Sequence, residues 1–546
     1  MKKTTYFSSF IMAAALCTMM LTTSSCSDND DNKVVPPGET DDTEEYVIEV
    51  EKGMTMPEND FLRVPEVASD SDIVNALKAI DKVTDIKAFQ LEERYDYYNE
   101  KMLTKTAYYF NYKQDIDHND PSKGWFKQQC VLTVAGQDRP TVLYTEGYAL
   151  NSDKNQLQKI SEPALVSVLD ANCLQVEHRY HGWSLPEGYT NKWNYLNAKQ
   201  QSDDLHAIVT AIKQSGVVGN GKWLSTGVSK CGMTTAFYAY HYPNEMDAYV
   251  PFCAPFMSSL KDKGPFSYIL TAQAFDDNQE RMEKVKAAFR TYVSDKKLQA
   301  ECVKLYRETY KKYELGADEE IRMNLLYLLF ANYYPKMAYV AYKRWEGIIP
   351  EAGDPAVRYF NFVMADEDSE YEGETQEQYN RRRDYVDDFE PESNGLAMPS
   401  PLTRLQEVKR QNPYHAQVCT ELGNYAHVLD WVDDLLTDDE KEKIIFEFYP
   451  ATFGVTYDNG AFIKAFFEGM KQSTCNMMFV YGMQDPWTGG QIPDDKMGVN
   501  SRKLFIQQPY NYKMAGLHND AIDQWNPSER NELFKWLHGL GFDVGQ

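Results

Sequence analysis

The chain reads as an α/β domain whose mostly parallel sheet is interrupted by a long helical insertion. Two observations carry this: seven short β-rich runs separated by helical segments, and a change to helical periodicity between the fifth and the sixth. The runs are "QQCVLTVAG" at 128–136, "PTVLYTEGY" at 140–148, "NCLQVEHRY" at 172–180, "KWLSTGVS" at 222–229, "AYVPFCAPF" at 248–256, "NMMFVYGMQ" at 476–484 and "KLFIQQP" at 503–509. They are apolar with little alternation, as strands buried on both faces of a parallel sheet must be. Between 258 and 470 the pattern becomes that of "NLLYLLFANYYPKMAYVAYKRW" and "AQVCTELGNYAHVLDWVDDLL". An insertion of that length with its own apolar faces is expected to be a helical cap and not a loop. The stretch "ADEDSEYEGETQEQYNRRRDYVDDFEPESNG" within it is expected to be a solvated connection. The sheet domain then falls in two parts, 51–257 and 471–546.

A chain of 546 residues suits one large domain with a big insertion, or two to four domains. Its 38 Tyr and 26 Phe belong to a packed enzyme-sized core and not to a disordered chain. A net charge of -26 disfavours nucleic acid and anionic membrane surfaces as partners, because both demand a cationic footprint. Most of those carboxylates are read as keeping an exported protein soluble.

Lys2 and Lys3 precede an apolar stretch, Phe10 to Leu21, and then small residues up to Cys26. That order predicts an export signal over 1–25. Cys26 follows two small residues as in a bacterial lipoprotein box, with Thr23 where an aliphatic residue is usual, so it is the expected lipidation site. From 26 to 50 the acidic "SDNDDNKVVPPGETDDTEE" has almost nothing to bury and is expected to be a tether. The expected location is that of an exported lipoprotein of the outer membrane, held to the membrane through the lipid alone. The cysteines that remain are Cys130, Cys173, Cys231, Cys253, Cys302, Cys419 and Cys475, an odd number with no C-x-x-C spacing. At least one thiol is therefore free, and neither a metal site nor a cofactor is expected.

The stretch "STGVSKCGM" places Ser229 where a strand gives way to a helix, the position of a nucleophile elbow. Gly227 is the small residue before it; Cys231, backed by Gly232, stands where a second glycine is usual. Further on, "FVYGMQDPW" ends a strand with Asp485, and "MAGLHND" offers His518 on a loop after the last strand. Serine, then acid after the next-but-one strand, then histidine is the chain order of α/β-hydrolases. The chemistry needs these three because a serine hydroxyl requires a base, and the imidazole requires a carboxylate to fix its tautomer. Lys230 is expected to give one backbone oxyanion donor and the loop at Gly147 or Tyr148 the second. His178 and His181 in "EHRYHG" are rival bases, read instead as structural or substrate-wall residues.

Together with "NYKQDIDHNDPSKGWFKQQCVL", "VEHRYHGWSLPEG" and "KWNYLNAKQQSDD", these motifs resemble in order the secreted tripeptidyl aminopeptidases of streptomycete type. Those are serine exopeptidases related to prolyl carboxypeptidase. The likeness covers roughly 110–257 and 476–525, and departs from the family at Cys231, which is expected to strain the elbow slightly. It implies an α/β-hydrolase fold with a helical cap, no metal, and release of short peptides from the free N-termini of oligopeptides. A free terminus must be recognised, and a buried ammonium needs a carboxylate. Glu146 and Glu177 are the candidates for it, with pairing of Glu177 to Arg179 or another base as the competing structural reading. Two other functions stay open: an acyl or glycan-ester hydrolase on the same fold, and an inactive binding lipoprotein, against which the intact triad weighs.

Overall fold

The computed structural model describes residues 71–91, 94–96, 101–103, 105–150, 162–186, 192–268, 270–271, 278–311, 315–331, 354–364, 413–426, 430–444, 450–507 and 518–544. The signal, the tether and the lipidation site at Cys26 lie outside them. Among the described residues no helix is long and apolar enough to cross a membrane.

Eleven strands occur among these residues: β1 (Val83–Gln90), β2 (Arg94–Asp96), β3 (Lys101–Leu103), β4 (Thr106–Asp115), β5 (Trp125–Thr133), β6 (Thr141–Thr145), β7 (Asn172–Val176), β8 (Trp223–Val228), β9 (Ala248–Phe252), β10 (Met477–Gly482) and β11 (Ser501–Ile506). β2 and β3 form a separate ribbon; the others make one nine-stranded sheet in the order β1-β4-β5-β7-β6-β8-β9-β10-β11. From β7 to β11 every neighbouring pair is parallel. The β1, β4, β5 end pairs antiparallel, including β5 with β7. All seven apolar runs are strands of this sheet. β1 and β4 have no counterpart among those runs, because "VTDIKAFQ" and "TAYYFNYKQD" interleave polar residues as strands at an antiparallel edge do.

Adjacent residues of a strand face opposite sides, and both sides are covered. Leu143, Tyr249 and Phe479 pack with Leu205 and Ile208 of the helix Ala198–Ser215 and Phe237 of the helix Lys230–His241. Their neighbours Val142, Val250 and Val480 pack on the other side with Leu533 and Leu537 of the helix Pro527–Gly539. This two-sided burial explains why the central strands read as unbroken apolar runs.

Between β9 and β10 the described residues are helical. The helices Gln279–Ser294, Lys296–Thr309, Asp318–Ala331 and Pro355–Met364 share a separate apolar cluster built around Phe289, Leu326, Leu329 and Phe362. The helix Ala461–Gln472, which the sequence boundary at 470 places with the insertion, buries Ile463, Phe466 and Met470 against the main sheet. Periodicity reveals that a helix has an apolar face but not which core receives it. All seven described cysteines are free and buried.

Beside β7 a buried ion pair ties the antiparallel edge to the helix Ala198–Ser215. Arg179 grips Asp204 in bidentate fashion, Nη2 to Oδ1 at 2.6 Å and Nε to Oδ2 at 2.7 Å, with both side chains fully buried. Its remaining donors reach the carbonyls of Ile116 and Tyr195 at 3.0 and 2.8 Å. Asp204→Ala strands this guanidinium, so it should destabilise the fold by about 3–5 kcal/mol, read as a lower denaturant midpoint. An unchanged midpoint would show that the pair is dispensable.

Candidate active site

Six buried residues of β8 lead into Ser229, whose backbone has φ 61° and ψ −125°, a conformation that costs a non-glycine residue on the order of 1–3 kcal/mol. The surroundings hold it there. Ser229 N–H donates to the Phe252 carbonyl of β9 at 2.9 Å, and its own carbonyl accepts from Met233 at 2.9 Å to start the helix. A Cβ on Gly227 would meet the Cys231 carbonyl group at 2.5 Å, and one on Gly232 would meet the Phe252 oxygen at 2.6 Å. The turn therefore needs glycine at 227 and 232. At 231 the chain is an ordinary helical residue with negative φ, so the expected strain at Cys231 is absent and the strain sits on Ser229 itself.

Asp485 closes β10 fully buried, and its two carboxylate oxygens have different duties. Oδ1 accepts the Trp487 backbone N–H at 3.0 Å, while Oδ2 accepts His518 Nδ1 at 2.7 Å. The loop carrying His518 is pinned from two sides. Asp520 Oδ2 accepts the Ala164 N–H at 2.9 Å, and Cys253 Sγ contacts the Asn519 carbonyl at 3.8 Å. Among the described residues, His518 Nε2 is buried with no hydrogen-bond partner and the Ser229 hydroxyl makes no hydrogen bond. Neither group is committed to a hydrogen bond with another described residue.

Cys253, Asp485 and His518 lie close enough to ligate one ion, their candidate atoms all within 4.8 Å. The donor set fits a hydrogen-bonded chain better. Burial pushes the Cys253 thiol well up, Asp485 raises it further, and a metal would need the thiolate.

The loop after β6 leans on the elbow. Gly147 N–H, one of the two positions expected to donate to an oxyanion, instead donates to Cys231 Sγ at 3.1 Å. The Gly147 carbonyl accepts from Lys230 Nζ; Tyr148 is the other position of this loop that the sequence offers as a donor. The Lys230 side chain is buried under the rings of Tyr148 and Tyr414, 5.2 and 5.8 Å from their centroids. Desolvation lowers its pKa to about 7 against the opposing pull of Cys231, Glu421 and Glu146. Tyr414 and Glu421 come from the insertion side of the sequence, and no motif near either marks them.

The two carboxylates proposed for an amine diverge. Glu177 is fully engaged: Oε1 accepts from Leu150 N–H at 3.1 Å, and Oε2 from Trp183 N–H at 2.8 Å and Ser184 Oγ at 2.7 Å. It clamps the loops at the strand ends and does not face a substrate; nor does it pair with Arg179, which Asp204 holds. Burial raises its carboxyl to about 7, with the hydrogen bonds from Ser184, Leu150 and Trp183 opposing. Glu146 is buried too, its pKa held well up by desolvation, but it meets only the Cys231 thiol, at 3.7 Å to Oε2. Its other oxygen takes no hydrogen bond among the described residues. His178 and His181 are buried edge to face, 5.3 Å apart, with pKa values pushed well down by desolvation. His178 Nδ1 meets the Arg179 carbonyl at 2.8 Å; the carboxylate of Asp485 goes to His518.

A strained serine after β8 and an acid–histidine pair from the segments after β10 and β11 have the chain order of an α/β-hydrolase. The family "PS-10 peptidase S37" matches residues 75–309. Over 464 residues the chain is 25% identical to a prolyl tri/tetrapeptidyl aminopeptidase of Streptomyces mobaraensis, covering 84% of each chain. It is 23% identical over 418 residues to a prolyl carboxy peptidase like protein of Caenorhabditis elegans, covering 68% of this chain and 78% of that one. Among solved structures, the proline iminopeptidase of Mycobacterium smegmatis aligns with a TM-score of 0.31 at 12% identity, over 76% of this chain and 95% of that one, too loosely to bear on the site. The chain is thus similar to serine peptidases of the streptomycete tripeptidyl aminopeptidase type, the resemblance its motifs carry.

Proposed function

We propose that this serine peptidase is an exopeptidase that releases short peptides, tripeptides foremost, from the free N-termini of oligopeptides, with Ser229, His518 and Asp485 as its triad. The observation that carries this is the buried Asp485–His518 hydrogen bond of 2.7 Å, which leaves Nε2 without a partner. In the proposed reaction Ser229 Oγ attacks the scissile carbonyl carbon while Nε2 takes the hydroxyl proton. Asp485 holds the resulting imidazolium. The negative oxygen of the tetrahedral intermediate is met by the backbone N–H of Lys230, at the start of a helix, and by that of Tyr148. Collapse breaks the C–N bond, and His518 returns its proton to the departing amine. Water, deprotonated by the same histidine, then hydrolyses the acyl-enzyme and restores the Ser229 hydroxyl.

Recognition of the free amine falls to Glu146. A carboxyl kept neutral by burial ionises readily when an ammonium arrives to pair with it. The tri/tetrapeptidyl relative supports a fixed distance between amine and cut site.

Incubating the mature protein with unrelated peptides of roughly six to ten residues should yield tripeptides from the amino end, read by mass spectrometry. Acetylating that end removes its charge and should cost about 2–5 kcal/mol, slowing cleavage at least about tenfold. Rapid internal cutting of acetylated peptides would contradict the exopeptidase. Intact peptides beside quickly hydrolysed acyl esters would make the protein an esterase.

A further inference from the structure

Both polar groups of Gly147 are taken by the side chains of the two residues that follow Ser229. The N–H donates to Cys231 Sγ at 3.1 Å, and the carbonyl accepts from Lys230 Nζ. Gly147 is pressed so closely on the elbow that a Cβ there would meet Cys231 N and Lys230 Cγ at 2.9 Å. All three residues are buried, and the Cys231 thiol passes its own contact on to Glu146 Oε2 at 3.7 Å. The loop from 146 to 148 is thus fastened through side chains as well as by packing.

From this geometry we propose that Cys231 and Lys230 are positioning residues, a clamp that sets the 146–148 loop relative to Ser229. In a trans peptide the carbonyl of 147 and the N–H of 148 point in opposite directions. The lysine that fixes the first therefore aims the second, and the thiol holds the preceding 146–147 peptide, whose N–H it accepts, so that both peptides flanking the Gly147 Cα are tied to the elbow. The clamp also gives Cys231 a purpose. A glycine at that position offers no acceptor to the buried Gly147 N–H, whereas a thiol, or a hydroxyl, does. The proposal rests on Ser229 being the nucleophile.

The test compares Cys231→Ala, Cys231→Gly and Cys231→Ser in the full chain, with Lys230→Met as the variant that attacks the clamp from its other side. kcat and KM are measured on a peptide anilide, alongside the rate of labelling by a fluorophosphonate and the thermal midpoint. Losing one oxyanion donor outright lowers kcat by about 10²–10³-fold. A loosened loop should lie below that ceiling, so the alanine and glycine variants should lose roughly 10- to 100-fold in kcat with KM little changed. Serine should restore kcat to within a few-fold of wild type. Should the cysteine variants fail to fold, Lys230→Met carries the same expectation.

Alanine and glycine variants that turn over like wild type, with only the thermal midpoint lowered, would reduce the clamp to a packing contact and overturn the proposal. Equal losses in serine and alanine would overturn it too, because the hydrogen bond would not be the cause. Wild-type protein that resists the fluorophosphonate altogether would instead remove Ser229 as nucleophile, and the clamp with it.

Discussion

Ser229→Ala should abolish peptide turnover and covalent labelling by a fluorophosphonate while leaving the fold in place. The expected loss in kcat is on the order of 10⁶, the scale seen when a serine peptidase loses its nucleophile and keeps only its oxyanion hole and binding. The fold should survive because, among the described residues, the Ser229 hydroxyl makes no hydrogen bond that the substitution could break. The backbone conformation of φ 61° is kept by its neighbours, through the bonds of Ser229 N–H to Phe252 and of its carbonyl to Met233. Ser229→Gly provides a companion reading. Relief of about 1–3 kcal/mol of backbone strain outweighs or balances the roughly 0.5–1 kcal/mol entropic cost of glycine, so this inactive variant should unfold no earlier than wild type. Labelling that survives Ser229→Ala would transfer the nucleophile to another residue.

The sheet was legible because strands buried on both faces leave a run that no helix pattern competes with, as in "TVLYT" and "NCLQV". The pairing of Asp485 with His518 follows from a related cause: a parallel sheet puts successive strand ends on one edge, so the segments after β8, β10 and β11, which carry Ser229, Asp485 and His518, leave the sheet on the same side although they lie far apart in sequence. What the sequence left obscure are relations between side chains. Glu177 and Arg179 are neighbours that suit an ion pair, yet they adjoin on a loop whose geometry sends one to backbone amides and the other to Asp204. Gly147 looked like an oxyanion donor, but a thiol one helical position beyond Lys230 takes its N–H. Tyr414 and Glu421 approach Lys230 only because the insertion folds back over the elbow, a contact that local pattern does not encode.

The orienting acid gives the second large effect. Asp485→Asn should lower kcat by about 10⁴ with KM altered only a few-fold, since it changes the tautomer and not the shape. The direction follows from the second bond of this carboxylate. Oδ1 accepts the Trp487 N–H at 3.0 Å, so an asparagine must keep its carbonyl oxygen there; turning over would set an amide NH₂ against a backbone N–H. Its NH₂ then faces His518 Nδ1, which has to present a lone pair, and the ring proton moves to Nε2. A protonated Nε2 cannot accept the proton of Ser229. The two nearest acids in sequence are engaged elsewhere: Asp520 holds the Ala164 N–H at 2.9 Å, and Asp494 is exposed and paired with Lys503 at 2.6 Å. Asp485→Ala should be impaired as well but by a different route, with the ring free to turn, so formate added to the buffer, which can occupy the place of the missing carboxylate, should restore the alanine variant more than the asparagine one. An asparagine variant of near-normal activity would mean that His518 is not oriented by this carboxylate and would break the triad assignment at Asp485.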